Sequence, residues 1–219
     1  MRILLVLIAA VCAPAVRAQE YSPSWTGSYI GLQIGNGLGI GELTSPNSGV
    51  YNDLKLRGSL GGAYAGYNYQ FENGVVLGGE LDVTAHSAFH RNDRQEHGTP
   101  LWVATGYDDS QSIKWSAAFR VRLGYTVNQW LPYVSIGREV AVVEQTNRND
   151  YIVINRDTYT FSGWAIGVGV EYAVSEALTL RTDYRFSNYD SRTDLISKTI
   201  PIQSKLENHQ LRFGIAYRF

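Results

Sequence analysis

The chain has 219 residues, 19 Lys and Arg against 20 Asp and Glu, and a pI near 6.4. That balance excludes a nucleic-acid binder working through a basic surface, and a hydrophobic share of 44% excludes a disordered chain. Charged residues make up only 18%, below the usual quarter, while the 15 tyrosines and 22 glycines are plentiful.

Met1 to Ala18 reads as a secretory leader: Arg2 is a minimal positive start and Ile3 to Ala13 a short apolar run. Val16-Arg17-Ala18 precedes the expected cut, which leaves Gln19 first in the mature chain. Losing Arg2 and Arg17 makes the mature balance 17 against 20, a net charge of about −3. Cys12, the one cysteine, falls inside the leader. A lipoprotein site there is disfavoured by the bulk of Val11. The mature chain, residues 19–219, is expected as one domain without disulfides or thiolate metal sites. No later stretch approaches the ~18 apolar residues that a spanning helix needs.

Period-2 alternation then recurs along the chain. Strand 1 is expected over Trp25 to Gly39, with Ile30, Leu32 and Ile34 on one face. A loop follows to Arg57. Strand 2 runs from Gly58 to Phe71, and Asn73-Gly74 is a tight-turn signal. Strand 3 sets Val75, Leu77, Gly79, Leu81, Val83 and Ala85 against Val76, Gly78, Glu80, Asp82, Thr84 and His86. Ser87 to Ser112 reads as a long polar connection. Strand 4 has the cleanest pattern: Trp115, Ala117, Phe119, Val121, Leu123 and Tyr125 oppose Lys114, Ser116, Ala118, Arg120, Arg122 and Gly124. A short turn at Asn128 to Leu131 precedes strand 5, opened by Pro132, whose missing N–H is tolerated there. Arg138 interrupts its apolar side, so a bulge or an interfacial position is expected there. Glu144 to Asp157 reads as a loop. Strand 6 covers Gly163 to Tyr172, Val174 to Ala177 is a turn, and strand 7 covers Leu178 to Ser187. A fourth loop, Asn188 to Ser204, leads to strand 8, Lys205 to Phe219.

Connections thus alternate long and short, with both ends of the mature chain on the short-turn side. An even strand number with short turns on one rim predicts an all-β fold, an eight-stranded antiparallel up-and-down transmembrane β-barrel. A soluble barrel would show the same alternation with its faces reversed. Three features favour the membrane form. Aromatic residues gather beside the short turns, at Tyr67, Tyr69, Phe71, Tyr125, Trp130, Tyr133, Tyr172, Tyr217 and Phe219. The other face is glycine-rich and carries both charge signs. The leader directs the chain across a membrane.

Several segments together resemble a known family: Trp25-Thr26-Gly27-Ser28-Tyr29-Ile30-Gly31, Gly66-Tyr67-Asn68-Tyr69, Gly79-Glu80, Arg120 to Tyr125, Gly163 to Tyr172 with Leu178 to Phe186, and Leu211 to Phe219. The chain is similar to the outer-membrane immunogenic or opacity-type proteins, porin-family barrels with an OmpA-like domain. At Tyr133 to Glu139 it carries fewer glycines than that pattern. The resemblance implies a surface-exposed protein of the bacterial outer membrane, lipid around the wall, both termini periplasmic and long loops extracellular. It implies no catalytic residues; some members are described as haem-binding or porin-like.

The inward face is expected to hold a charge network of Glu80, Asp82, Lys114, Arg120, Arg122, Glu139, Glu171, Arg181, Asp183, Arg185, Arg212 and Arg218. Eight strands leave an interior just wide enough for side chains to fill, so a plug is expected ahead of a narrow solute pore. Phe213, Ile215, Tyr217 and Phe219 are the expected C-terminal signal for the barrel-assembly machinery. His86, His90 and His97 are the candidate haem ligands, although their spacing matches no compact metal motif and the ordinary reading is polar loop histidines. Ser87 beside His86, with Glu96 further on, is the strongest arrangement for a lipid-modifying enzyme. Such neighbours arise readily by chance, and no enzyme, metal site or obligatory cofactor is expected. Leu101 to Val103 and Tyr151 to Ile154 are either adhesive patches for a surface ligand or strand extensions, the latter preferred.

Overall fold

The computed structural model describes residues 23–44, 51–90, 107–149, 152–196 and 200–219, with side chains described over 23–40, 57–87, 112–144, 158–190 and 206–219. Eight strands follow in order: β1 (Gly27–Thr44), β2 (Tyr51–Gln70), β3 (Val75–His90), β4 (Tyr107–Tyr125), β5 (Trp130–Asn149), β6 (Ile152–Ala173), β7 (Leu178–Ile196) and β8 (Ile200–Arg218). Every neighbouring pair is antiparallel, and β8 returns to pair with β1, from Tyr29↔Arg218 to Thr44↔Gln203. Closure leaves no free edge along that shared wall.

The period-2 pattern decides what each face meets. Ile30, Leu32, Ile34, Leu81, Val83, Phe119, Leu123, Ile136 and Ile166 point outward and stay more than half exposed. Arg120, Arg185 and Glu139 point inward and are fully buried. An apolar outside around a charged inside is an arrangement that lipid stabilises and water does not.

The near end holds the short turns. Gly74, at φ 83°, and Asn128, at φ 54°, supply the left-handed conformations those turns require. At the far end the strands run well past the expected boundaries. Segments read from sequence as loops are largely paired strand, as Thr44↔Tyr51, Asn149↔Ile152 and Ile196↔Ile200 show. Hydropathy alternation is irregular there, as in Ile152-Val153-Ile154, yet backbone pairing continues without it. Ile152 to Ile154 is therefore strand, as preferred. Residues 1–18, Glu96, His97 and Leu101 to Val103 lie outside the described residues.

Two placements differ from expectation, and a third decides between two that stood open. The register between β4 and β5 shifts between Ile113 and Trp115. This bulge turns Lys114 outward and Ile113 inward, so Lys114 pairs with Glu144 at 3.1 Å instead of joining the lumen. Tyr133 shares the inward phase of Ser135 and Glu139 and is buried, not part of an outer aromatic band. β5 is regular through Arg138, opposite Phe119 and Trp164, so that arginine faces outward without a bulge.

Candidate functional site

The lumen is the site that the alternation builds. β3 contributes Glu80 and Asp82 two residues apart, β4 Arg120 and Arg122, and β7 Arg181, Asp183 and Arg185. Glu139 comes from β5, Glu171 from β6 and Arg212 from β8. Some partners face each other across neighbouring strands: Glu80↔Arg120, Glu171↔Arg181 and Asp183↔Arg212. Others meet only across the barrel.

Glu80 is the hub. Its Oε2 accepts from Arg181 Nη1 at 2.6 Å, Arg122 Nη1 at 3.0 Å and the Tyr29 hydroxyl at 2.9 Å, while Oε1 accepts from Arg120 Nη2. Arg122 also donates to Glu171 Oε1 at 2.7 Å. Nearer the far end, Arg185 Nη2 donates to Asp82 Oδ2 at 2.5 Å, and Arg212 donates through Nε and Nη2 to the two oxygens of Asp183 at 2.7 and 2.8 Å. Arg120 Nη1 ties the levels together by reaching Asp183 at 3.2 Å. Glu139 accepts from Ser187 at 2.6 Å and Tyr189 at 3.0 Å. Five arginines thus balance five carboxylates, which leaves no net charge to attract ions of either sign. Each buried charge is compensated by opposite charge and hydrogen bonds, the condition under which burial is tolerated.

Sequence reasoning missed the neutral supports. Arg181 lies 3.6 Å over the Tyr64 ring and Arg122 4.0 Å over the Tyr133 ring. Gln33 accepts from Arg181 at 2.9 Å and donates to Thr84 at 3.1 Å. Their inward phase was the available signal. Also missed were apolar layers at both ends of the charged zone. Trp25, Val76, Leu131 and Ala173 pack at the near end. Ile113, Ala141, Val143, Tyr189 and Leu206, with Phe161 against them, pack at the far end. Arg218 lies with the near layer, below the ion pairs, and donates to the carbonyls of Ser24 and Ser175.

The remaining candidates do not converge. His86 faces inward, with its Nε2 3.0 Å from the Ser116 hydroxyl. Ser87 faces outward, with its hydroxyl donating to the Ser59 carbonyl. Alternation thus puts the serine–histidine pair on opposite faces. His90 ends β3, paired in register with Leu56. No group of three or more His, Cys, Asp or Glu is set to hold a metal among the described residues.

The model of the outer membrane protein beta-barrel domain matches residues 3–219. The chain belongs to this outer-membrane β-barrel family. It is 30% identical over 212 residues to the 31 kDa outer-membrane immunogenic protein of Brucella melitensis, covering 90% of this chain and 84% of that one. It is likewise 30% identical over 211 residues to the 25 kDa outer-membrane immunogenic protein of Brucella abortus, covering 95% and 85%. Among solved structures, OprG of Pseudomonas aeruginosa matches with a TM-score of 0.49 at 12% identity, covering 90% of this chain and 98% of that one.

In an outer-membrane barrel the outward face meets lipid. Tyr67, Tyr69, Phe71, Tyr125, Trp130, Tyr217 and Phe219 ring the near end, where amphipathic rings suit an interface. Phe213, Ile215, Tyr217 and Phe219 all lie on this lipid side. Arg138 is accommodated by a polar cluster: it meets Asp190 at 3.3 Å and Ser162 at 3.3 Å, and stacks 5.1 Å from the Trp164 ring. Such a cluster suits a membrane interface, where an arginine costs little.

Proposed function

We propose that this protein is a sealed outer-membrane barrel with a structural and surface-exposed role, not a solute channel. The single observation that carries the reading is the lumen cross-section at Glu80, Asp82, Arg120 and Arg185, whose side chains are fully buried and mutually paired. Eight strands leave no room beside such a filling for a water path. The cleft lined by Gly37, Gly39, Gly58, His86 and Asn208 reaches only about 20 Å³, about the room one water needs. In this reading the near end lies in the periplasm and the far-end hairpins face the exterior. The immunogenic description of the Brucella relatives supports that exposure. The C-terminal strand, with Phe213, Ile215, Tyr217 and Phe219 outward, is the segment offered to the barrel-assembly machinery. The far-end hairpins are the surface through which a ligand would be met.

The test is single-channel recording of the mature protein in a planar bilayer, with folding verified by a heat-dependent gel shift. Silence is expected. Reproducible conductance steps would overturn the sealed reading and make the protein a narrow porin, with Arg120, Arg122 and Arg181 setting selectivity. A haem titration checks the remaining family property. Saturable binding lost on joint replacement of His86, His90 and His97 by alanine would establish haem capture in place of a purely structural role.

A further inference from the structure

The segment before β1 does more than lead into the barrel. Trp25 is 1% exposed, and its ring lies in the near mouth against Val76 of β3, Leu131 at the start of β5 and Ala173 of β6. Its backbone N–H donates to Gln70 Oε1 of β2 at 2.8 Å, and the Gln70 N–H donates back to Thr26 Oγ1 at 2.9 Å. Arg218, at the end of β8, stacks 4.8 Å from the Trp25 ring centre. Its Nη1 donates to the Ser24 carbonyl at 2.9 Å, and its Nη2 donates to the Ser175 carbonyl in the β6–β7 turn at 3.1 Å. Beside this clamp, Gly27 has φ 143°, and a Cβ there would stand 2.8 Å from the Phe219 carbonyl oxygen. The Phe219 N–H donates to the Ser28 carbonyl at 3.0 Å.

We infer that residues 24–26 form a latch that locks the β1–β8 seam, with Trp25 as the bolt and Arg218 as the catch. The seam joins strands at opposite ends of the sequence, so its closure carries the largest loop entropy of any pairing in the barrel. Every other seam joins strands that follow one another in the chain. This one has no such connection, and Trp25 supplies it through space. One ring ties the start of β1 to the far wall, while one guanidinium ties the end of β8 to the same segment. The Arg218 contacts form only once β8 has met β1, so the catch closes with the seam and holds the barrel against opening at its near end.

Hydrogen–deuterium exchange of the folded mature protein in detergent micelles tests this, read segment by segment. Trp25→Ala and Arg218→Gln are expected to raise exchange at least tenfold in the near halves of β1 and β8 while β4 and β5 stay unchanged. Trp25→Phe, which keeps an apolar ring, is expected to recover most of the protection. Val143→Ala, which trims the apolar layer at the opposite end of the lumen, is expected to leave the near seam closed. Arg218→Gln keeps the test available if Trp25→Ala does not fold. A uniform rise over all strands would reduce Trp25 to ordinary packing and overturn the inference, as would unchanged exchange at the seam.

Discussion

Glu80→Gln is the most informative single change in the lumen. The substitution keeps shape and removes one charge from a site where Arg120, Arg122, Arg181 and Tyr29 converge. Two of the three arginines retain close carboxylates: Arg122 has Glu171 at 2.7 Å and Arg120 has Asp183 at 3.2 Å. Arg181 retains Glu171 at 4.0 Å, the neutral Gln33 and the Tyr64 ring, with no closer carboxylate among the described residues, so it bears most of the loss. Removing one partner of a buried ion pair costs about 3–5 kcal/mol. With a urea slope of about 2 kcal/mol/M, the unfolding midpoint should fall by roughly 2 M. The assay is equilibrium urea unfolding in lipid vesicles, followed by tryptophan fluorescence. Adding Arg181→Met restores the charge balance and is expected to recover at least half of that fall. A shift below about 0.5 M for Glu80→Gln would refute the hub assignment, because a pair screened by water loses only about 1 kcal/mol or less. A double variant no more stable than the single one would refute the claim that Arg181 is the stranded charge.

Further expectations follow from the two faces of the wall. Leu81→Arg, in mid-wall on the lipid side between Ala65 and Phe119, should cost about 2–4 kcal/mol, whereas Tyr217→Arg beside the near interface should cost about 0–1 kcal/mol; equal losses in vesicle unfolding would contradict the assigned depths. Gly169→Val should abolish folding, seen as loss of the heat-dependent gel shift, because a Cβ at Gly169 already stands 2.6 Å from the Tyr133 ring and 2.8 Å from Asp183 Cβ. Arg138→Ala should change the urea midpoint by less than about 0.5 M, since the Arg138–Asp190 pair is exposed and such pairs contribute at most about 1 kcal/mol; a larger shift would mean that the cluster lies deeper in the lipid than proposed.

Much of this architecture is written in period-2 alternation. β4 shows why: Phe119, Val121 and Leu123 against Arg120 and Arg122 leave only one way to orient the strand in lipid. Where alternation fades, so does legibility. The far-end hairpins are not legible as strands because their hydropathy pattern is irregular, with apolar runs such as Ile152-Val153-Ile154 beside polar ones. The bulge that expels Lys114 was invisible because a one-residue insertion leaves composition unchanged and alters only phase. Tyr133 sits beside a turn among the aromatics of the near rim, but its phase with Ser135 and Glu139 decides its inward place.

What the sequence alone determined was the strand number, the antiparallel order, the lipid-facing side and the set of inward charges, with Lys114 the exception. These depend on local spacing, which a single strand carries. What only the tertiary structure decided was partnership: that Glu80 gathers arginines from β4 and β7, that Asp183 binds Arg120 across the barrel, and that Trp25 fills the near mouth. Those contacts depend on closure. Until β8 pairs with β1, the charges on separate strands have no fixed distance between them, and no pattern along the chain encodes which will meet.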